Sequence, residues 1–161
     1  METVFGMAKV RKEPFEVTPE FLEVFGREQE GEGQETSLAE KLSRFSDASY
    51  EVSNIDGLFE NLMTSEGKLY CLDYEWVFDF PVPAGFVRYR SLVYFYYKYE
   101  GLMSYENAAE FLREFGIDGD TAALYAAMEE SFQSWVHGDG TQGYMGNYRQ
   151  RLVTLEELKA Q

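Results

Sequence analysis

The hydrophobic positions of this chain fall into short groups whose spacing changes several times. Thr18-Pro19-Glu20 leads into Phe21, Leu22, Val24 and Phe25 and then Gly26, which supplies an N-cap, a proline at the first helical position and a glycine stop, and so predicts a short helix. A second short helix is expected near Ser37 to Phe45. Between them, Arg27 to Glu35 contains no apolar residue to offset the entropy of ordering, so residues 27–36 are expected to form a flexible acidic loop. The runs Asn61 to Thr64 and Lys68 to Leu72 flank Ser65-Glu66-Gly67, and this pattern predicts a β-hairpin. The segment Phe78-Asp79-Phe80-Pro81-Val82-Pro83 must be extended, because each proline excludes its predecessor from the helical region; it is expected to be a loop with aromatic anchors.

From Ala84 onward the pattern is helical. Helices are expected over Ala84 to Glu100, Ser104 to Phe115 and Asp120 to His137, stopped by Gly101, Gly116 and Gly138, with Ser104 and Asp120 as N-caps. Phe111, Leu112 and Phe115, then Leu124, Met128 and Phe132, recur at helical spacing and are assigned to the core. A Gly-rich turn over Gly138 to Gly146 and a last, frayed helix from Thr154 to Lys159 complete the reading. The fold class predicted is α+β and mostly helical, a small hairpin backed by a helical bundle within a single module, residues 1–161.

The stretch that carries chemistry is Asn54-Ile55-Asp56-Gly57-Leu58-Phe59-Glu60-Asn61, continuing through the hairpin to Leu72-Asp73-Tyr74-Glu75-Trp76. An Asp before a short loop, an Asn at the foot of the first strand and an Asp at the end of the second bring three oxygen-bearing side chains to one end of a hairpin. Such a set suits Mg²⁺, which prefers oxygen ligands and keeps several waters. In phosphoryl transfer Asp56 would orient or accept the proton of an attacking hydroxyl, while Asn61 and Asp73, with Glu75 as a further candidate ligand, would hold metal against nucleotide phosphates. The residues leave other roles open. Asp56 suits a turn cap in Asn-Ile-Asp-Gly, Asn61 a bond to loop backbone, and Asp73 and Glu75 an ion network with Arg88 or Arg90. Cys71 fits a strand-buried, inert thiol, and His137 a cation at a helix end. The cluster Tyr94, Phe95, Tyr96, Tyr97 and Tyr99 fits the core, with sugar stacking open to any exposed members.

Composition narrows the partners. With 161 residues, 45% hydrophobic and 17% aromatic, the chain is long enough for one core. A net charge of −15 and a pI near 4.4 oppose binding to phosphate backbones and anionic lipid, so neither nucleic acid nor membrane insertion is expected. Cys71 is the only cysteine and His137 the only histidine, which excludes an intrachain disulfide and a multi-ligand zinc site and fits a cytoplasmic location. No run approaches the roughly 20 apolar residues of a membrane span, and Phe86 to Tyr99, interrupted by Arg88, Arg90 and Lys98, reads as a buried helix.

The spacing of Asp56, Asn61 and Asp73 resembles that of the protein-kinase and aminoglycoside/choline-kinase superfamily, in which an Asp precedes an Asn by five residues and the next hairpin ends in Asp. Leu72-Asp73-Tyr74-Glu75-Trp76 resembles the metal loop of the small-molecule kinases more than that of the protein kinases, which favours a sugar or other small acceptor. The longer phrase from Leu72 to Arg90, with Phe78-Asp79-Phe80-Pro81-Val82-Pro83 at its centre, resembles a segment of bacterial surface-polysaccharide proteins that accompanies glycosyltransferase or methyltransferase domains, and the likeness runs from Pro14 to Tyr148. The resemblance implies a kinase-like C-terminal lobe, with Asp56 as base, Mg²⁺ and ATP as cofactors, and a glycan acceptor or a companion transferase domain as partner. Departures accompany it: Asn54 stands where the superfamily usually has His, Leu58 where protein kinases often carry Lys, and no Gly-rich loop or ATP-covering lobe precedes the motif. Three readings stay open: an incomplete phosphotransferase-type module cut from a larger protein of surface-glycan biosynthesis, a non-catalytic pseudokinase that docks a glycosyltransferase or methyltransferase, or a structural helical adaptor in which the spacing is coincidence.

Overall fold

Helix α1, Pro19–Phe25, forms where its caps predict. The Thr18 hydroxyl accepts the Phe21 N–H at 3.2 Å, Pro19 occupies the first turn, and the Gly26 N–H closes the end on the Leu22 carbonyl. Phe21, Val24 and Phe25 share one buried face. The computed structural model describes residues 12–27, 37–50 and 52–138; the acidic loop expected over 27–36, apart from Arg27, and the final turn and helix beyond Gly138 lie outside them. Within those residues the chain is α+β, with helix predominating over short antiparallel strands.

The helices after α1 are α2 (Leu38–Ser43), α3 (Ala84–Tyr99), α4 (Ala108–Glu114) and α5 (Gly119–His137). The strands are β1 (Lys12–Pro14), β2 (Ala48–Tyr50), β3 (Ser53–Asn54), β4 (Leu62–Ser65), β5 (Lys68–Cys71), β6 (Val77–Phe78) and β7 (Val82–Pro83). They make a three-stranded sheet in the order β1-β2-β7, a β3-β6 pair and the β4-β5 hairpin, all antiparallel. The hairpin is the one expected: Leu62 faces Cys71 and Ser65 faces Lys68. Its turn places Glu66 at φ 51° and Gly67 at φ 73°, the left-handed pair whose twist matches that of flanking strands.

Four local expectations are corrected. The proline-bounded segment 78–83 keeps a loop at 79–81, anchored by Phe78 and Phe80 as expected, but its ends pair: Phe78 completes β6 and Val82–Pro83 form β7, where Pro83 is tolerated because β7 is a sheet edge. Helix α4 begins after Asn107, not Ser104, since Asn107 Oδ1 accepts the Glu110 N–H at 2.9 Å; α5 begins after Asp118, not Asp120, since Asp118 Oδ1 accepts the Thr121 N–H at 2.8 Å. Gly101 does not stop α3, which ends at Tyr99 and runs into a 3₁₀ turn, Glu100–Leu102.

Aromatic rings dominate the core. Phe25 stacks on Phe132 at 5.8 Å and meets Phe21, Phe78 and Phe86 at 5.1, 5.5 and 5.4 Å, which joins α1, β6, α3 and α5. Of the predicted core stripes, Phe111, Leu112, Met128 and Phe132 are buried and Phe115 and Leu124 partly so. The start of α3 is held from a distance: Asp47 Oδ2 accepts the Gly85 N–H at 2.8 Å and the Tyr125 hydroxyl at 3.0 Å. A Cβ at Gly85 would collide with both partners, so only glycine fits. No helix among the described residues is long and apolar enough to cross a membrane.

Candidate functional site

The loop from Ile55 to Asn61 lies between β3 and the hairpin and is closed by its own residues. The Asn61 amide donates to the Asp56 carbonyl at 2.9 Å, the same carbonyl accepts the Leu58 N–H at 2.6 Å, and the Asn61 N–H reaches the Leu58 carbonyl at 2.9 Å. Asn54 Oδ1 accepts the Asp56 N–H at 2.9 Å. Helix α3 anchors the loop from below: Arg90 Nη1 donates to the Ile55 carbonyl at 2.6 Å and Ser91 Oγ to the Gly57 carbonyl at 2.7 Å. The carbonyls of Ile55, Asp56 and Gly57 and the Asp56 N–H are thus all met by side chains.

Asp56 is buried, and both its carboxylate oxygens face the fold. Oδ2 accepts the Trp76 N–H at 2.7 Å, and Oδ1 lies 3.6 Å from Arg90 Nη1. Arg90 itself is held chiefly by Glu129 on α5, through Nε at 2.7 Å, and lies over the Phe132 ring at 5.1 Å. Burial pulls the Arg90 guanidinium down, but Glu129 above all, with Tyr94 and Asp56, outweighs it and holds the group above its usual range. Burial and the Glu129 charge together push the Tyr94 and Tyr89 phenols up.

Asn61 sits at the foot of the hairpin as predicted. Its carbonyl accepts the Leu72 N–H at 2.8 Å, so the ladder extends one step beyond the strands and brings Asp73 just past that foot. Asp73 and Glu75 are both exposed, and neither carboxylate makes a hydrogen bond or ion pair among the described residues. The ion network expected between them and Arg88 or Arg90 is not formed; Arg90 goes to Glu129 and Asp56. Among the described residues no group of three or more His, Cys, Asp or Glu side chains is placed to share a metal ion. Cys71 is half-buried at the end of β5, and its thiol donates to the Asp73 carbonyl at 3.1 Å while accepting from Asn54 Nδ2 at 3.6 Å.

Outside the loop, a hollow of about 170 Å³ lies between the 3₁₀ turn Phe59–Asn61 and α3, lined by Leu58, Phe59, Tyr94, Phe95, Lys98 and Tyr99. This falls below the ~300–1,000 Å³ usual for ligand pockets. Of the aromatic cluster on α3, Tyr96 is buried and Tyr94 bonds Glu129, whereas Phe95, Tyr97 and Tyr99 reach solvent.

Sequence reasoning missed Arg90 as the partner of Asp56, and missed Glu129 and Ser91 altogether. The signal was present: Arg90 follows Phe86 by four positions and Glu129 precedes Phe132 by three, so each charge lies on an apolar stripe and needs an opposite charge. No family model, curated protein or solved structure matches this chain.

Proposed function

We propose that this chain is a non-catalytic module with a kinase-like C-terminal lobe, which docks a companion glycosyltransferase or methyltransferase domain in bacterial surface-glycan synthesis. The observation that carries this reading is the orientation of Asp56. A general base must lie within hydrogen-bond reach of the proton it removes. Here one carboxylate oxygen accepts the Trp76 N–H and the other faces the buried Arg90, which suits Asp56 to bracing the loop rather than to meeting an acceptor hydroxyl.

The alternative, a phosphotransferase module whose nucleotide is held partly by another segment, is favoured by one feature. The Asp56–Asn61 loop closes as a unit at the hairpin foot, where the Asp73 carboxylate is exposed. Isothermal calorimetry of the purified chain with ATP, with and without Mg²⁺, separates the two. The docking reading expects no metal-dependent binding. Binding that requires Mg²⁺ and disappears in Asp73→Asn would refute it and establish the alternative.

A further inference from the structure

Among the described residues, nothing packs over the Met63–Tyr70 side of the β4-β5 hairpin. Two-stranded hairpins are marginal in water unless a face is packed, yet Met63 and Tyr70, directly paired across the strands, are 44% and 42% exposed. Leu72, two residues beyond Tyr70 and therefore on the same face, is 60% exposed. The segment that follows adds Tyr74 at 65% and Val77 at 45%. Met63, Tyr70 and Leu72 thus share one face of the hairpin, and the exposed Tyr74 and Val77 follow it along the chain. Scattered apolar residues are ordinary on a surface, but a concentration on one face marks an interaction site.

The surrounding charge identifies the occupant. Between Arg44 and Arg88 the chain has one cation, Lys68, against eight acids. Glu66, Asp73 and Glu75 lie exposed on and beside this face, and none of them is in an ion pair among the described residues. An anionic membrane would be repelled by this rim, and a second copy would bring the same sign of charge against it. We infer that the hairpin face formed by Met63, Tyr70 and Leu72 is the docking surface, and that its partner is a protein domain presenting an apolar centre rimmed by Lys and Arg. This inference rests on the docking reading given above and specifies where and with what chemistry docking occurs. The acids would steer the encounter and fix orientation, while the apolar centre would supply most of the affinity.

The test is selection of a displayed random-peptide library on the purified full chain, followed by binding of the selected peptides at low and high salt. Selected peptides should interleave aliphatic or aromatic residues with Lys or Arg, and bind more weakly as salt rises. Both Met63→Ser/Leu72→Ser and Asp73→Lys/Glu75→Lys should weaken binding by at least about tenfold. Because all four positions are exposed, both variants should keep the circular dichroism spectrum and melting temperature of the parent. Neutral or acidic peptides, unchanged binding by both variants, an empty selection, or self-association through Tyr70 by sedimentation would overturn the inference. Binding lost instead on Tyr97→Ser/Tyr99→Ser would move docking to α3, overturning this face while leaving the docking reading intact. Mg²⁺-dependent ATP binding would remove the docking reading itself.

Discussion

Replacing Arg90 with Met isolates the interaction on which the loop depends. The side chain is 5% exposed and its partners Glu129 and Asp56 are 13% and 11% exposed, so solvent screens none of the three strongly. Arg90→Met leaves the Glu129 carboxylate without its bond to Nε, removes the nearby charge from Asp56, and deprives the Ile55 carbonyl of its donor. Breaking a buried pair from one side costs about 3–5 kcal/mol, because the remaining charge stays desolvated. Against a total stability of about 5–15 kcal/mol, this puts the variant near the edge of folding. At about 2–4 °C per kcal/mol for a chain of this size, the melting temperature should fall by roughly 10 °C. Urea titration followed by tryptophan fluorescence is the assay, since Trp76 and Trp135 meet edge-on at 5.6 Å in the core and report its loss. The double variant Arg90→Met/Glu129→Leu removes both charges and should recover about 2 kcal/mol relative to the sum of the singles. A single-variant cost under about 1 kcal/mol, or strict additivity in the double, would refute the account, because either result means the charges were never effectively desolvated.

Three further outcomes are expected. Gly85→Ala should destabilise the fold by about 2 kcal/mol, through the collision with Tyr125 and Asp47, and Tyr125→Phe should restore part of the loss; denaturant titration of the two singles and the double checks this. Glu66→Asn should raise the urea midpoint slightly, by a few tenths of a kcal/mol at most, since Asn tolerates the φ of 51° better than Glu; an unchanged or lower midpoint counts against the turn assignment. Alkaline pH should unfold the chain cooperatively. Burial, with the charges of Glu129 and Asp47, holds the Tyr89, Tyr94 and Tyr125 phenols above their ordinary value of 10.0, so above that pH the unfolded chain binds fewer protons than the folded one. Their contribution is complete below pH 10 and is lost as pH rises beyond it. Tyrosinate absorbance should therefore show a late step coincident with loss of circular dichroism, and smooth titration of all twelve tyrosines with the fold intact would contradict it.

What the sequence made legible was local. Thr18, Pro19 and Gly26 bound α1 through contacts within a few residues, and Glu66-Gly67 fixes the hairpin turn in the same way. The displaced start of α4 was legible too, because Asn107 is followed three residues later by Glu110, the spacing of an N-terminal capping box, while Ser104 has no such partner. Asp118 rather than Asp120 caps α5, and Ile117 ahead of it is buried, a position set by the rest of the fold. Strands β1, β2 and β7 are two or three residues long, too short for an alternating pattern, and exist through pairing with distant segments. The same division applies to the site. The spacing of Asp56 and Asn61 anticipated their shared loop, whereas the direction of the Asp56 carboxylate depends on a backbone N–H 20 residues away and on an arginine in α3.

Asn54 shows how these parts combine. It uses both ends of its amide: Oδ1 takes the Asp56 N–H, and Nδ2 donates to Cys71, whose thiol continues to the Asp73 carbonyl. Asn54 thus ties the loop to the last residue of the hairpin and, through Cys71, to the segment beyond it. An imidazole, with one donor and one acceptor fixed on a rigid ring, would not reproduce these two short-range bonds from the same backbone position. Together with Arg90 and Ser91, the arrangement makes the Asp56 loop a brace between α3 and the hairpin. A brace needs rigid, internally satisfied polar groups, and it leaves the apolar face of Met63, Tyr70 and Leu72 directed to solvent. The inward orientation of Asp56 and the exposure of that face thus belong to one arrangement: the polar groups of the loop are spent on the fold, and the apolar surface lies on the hairpin beyond it.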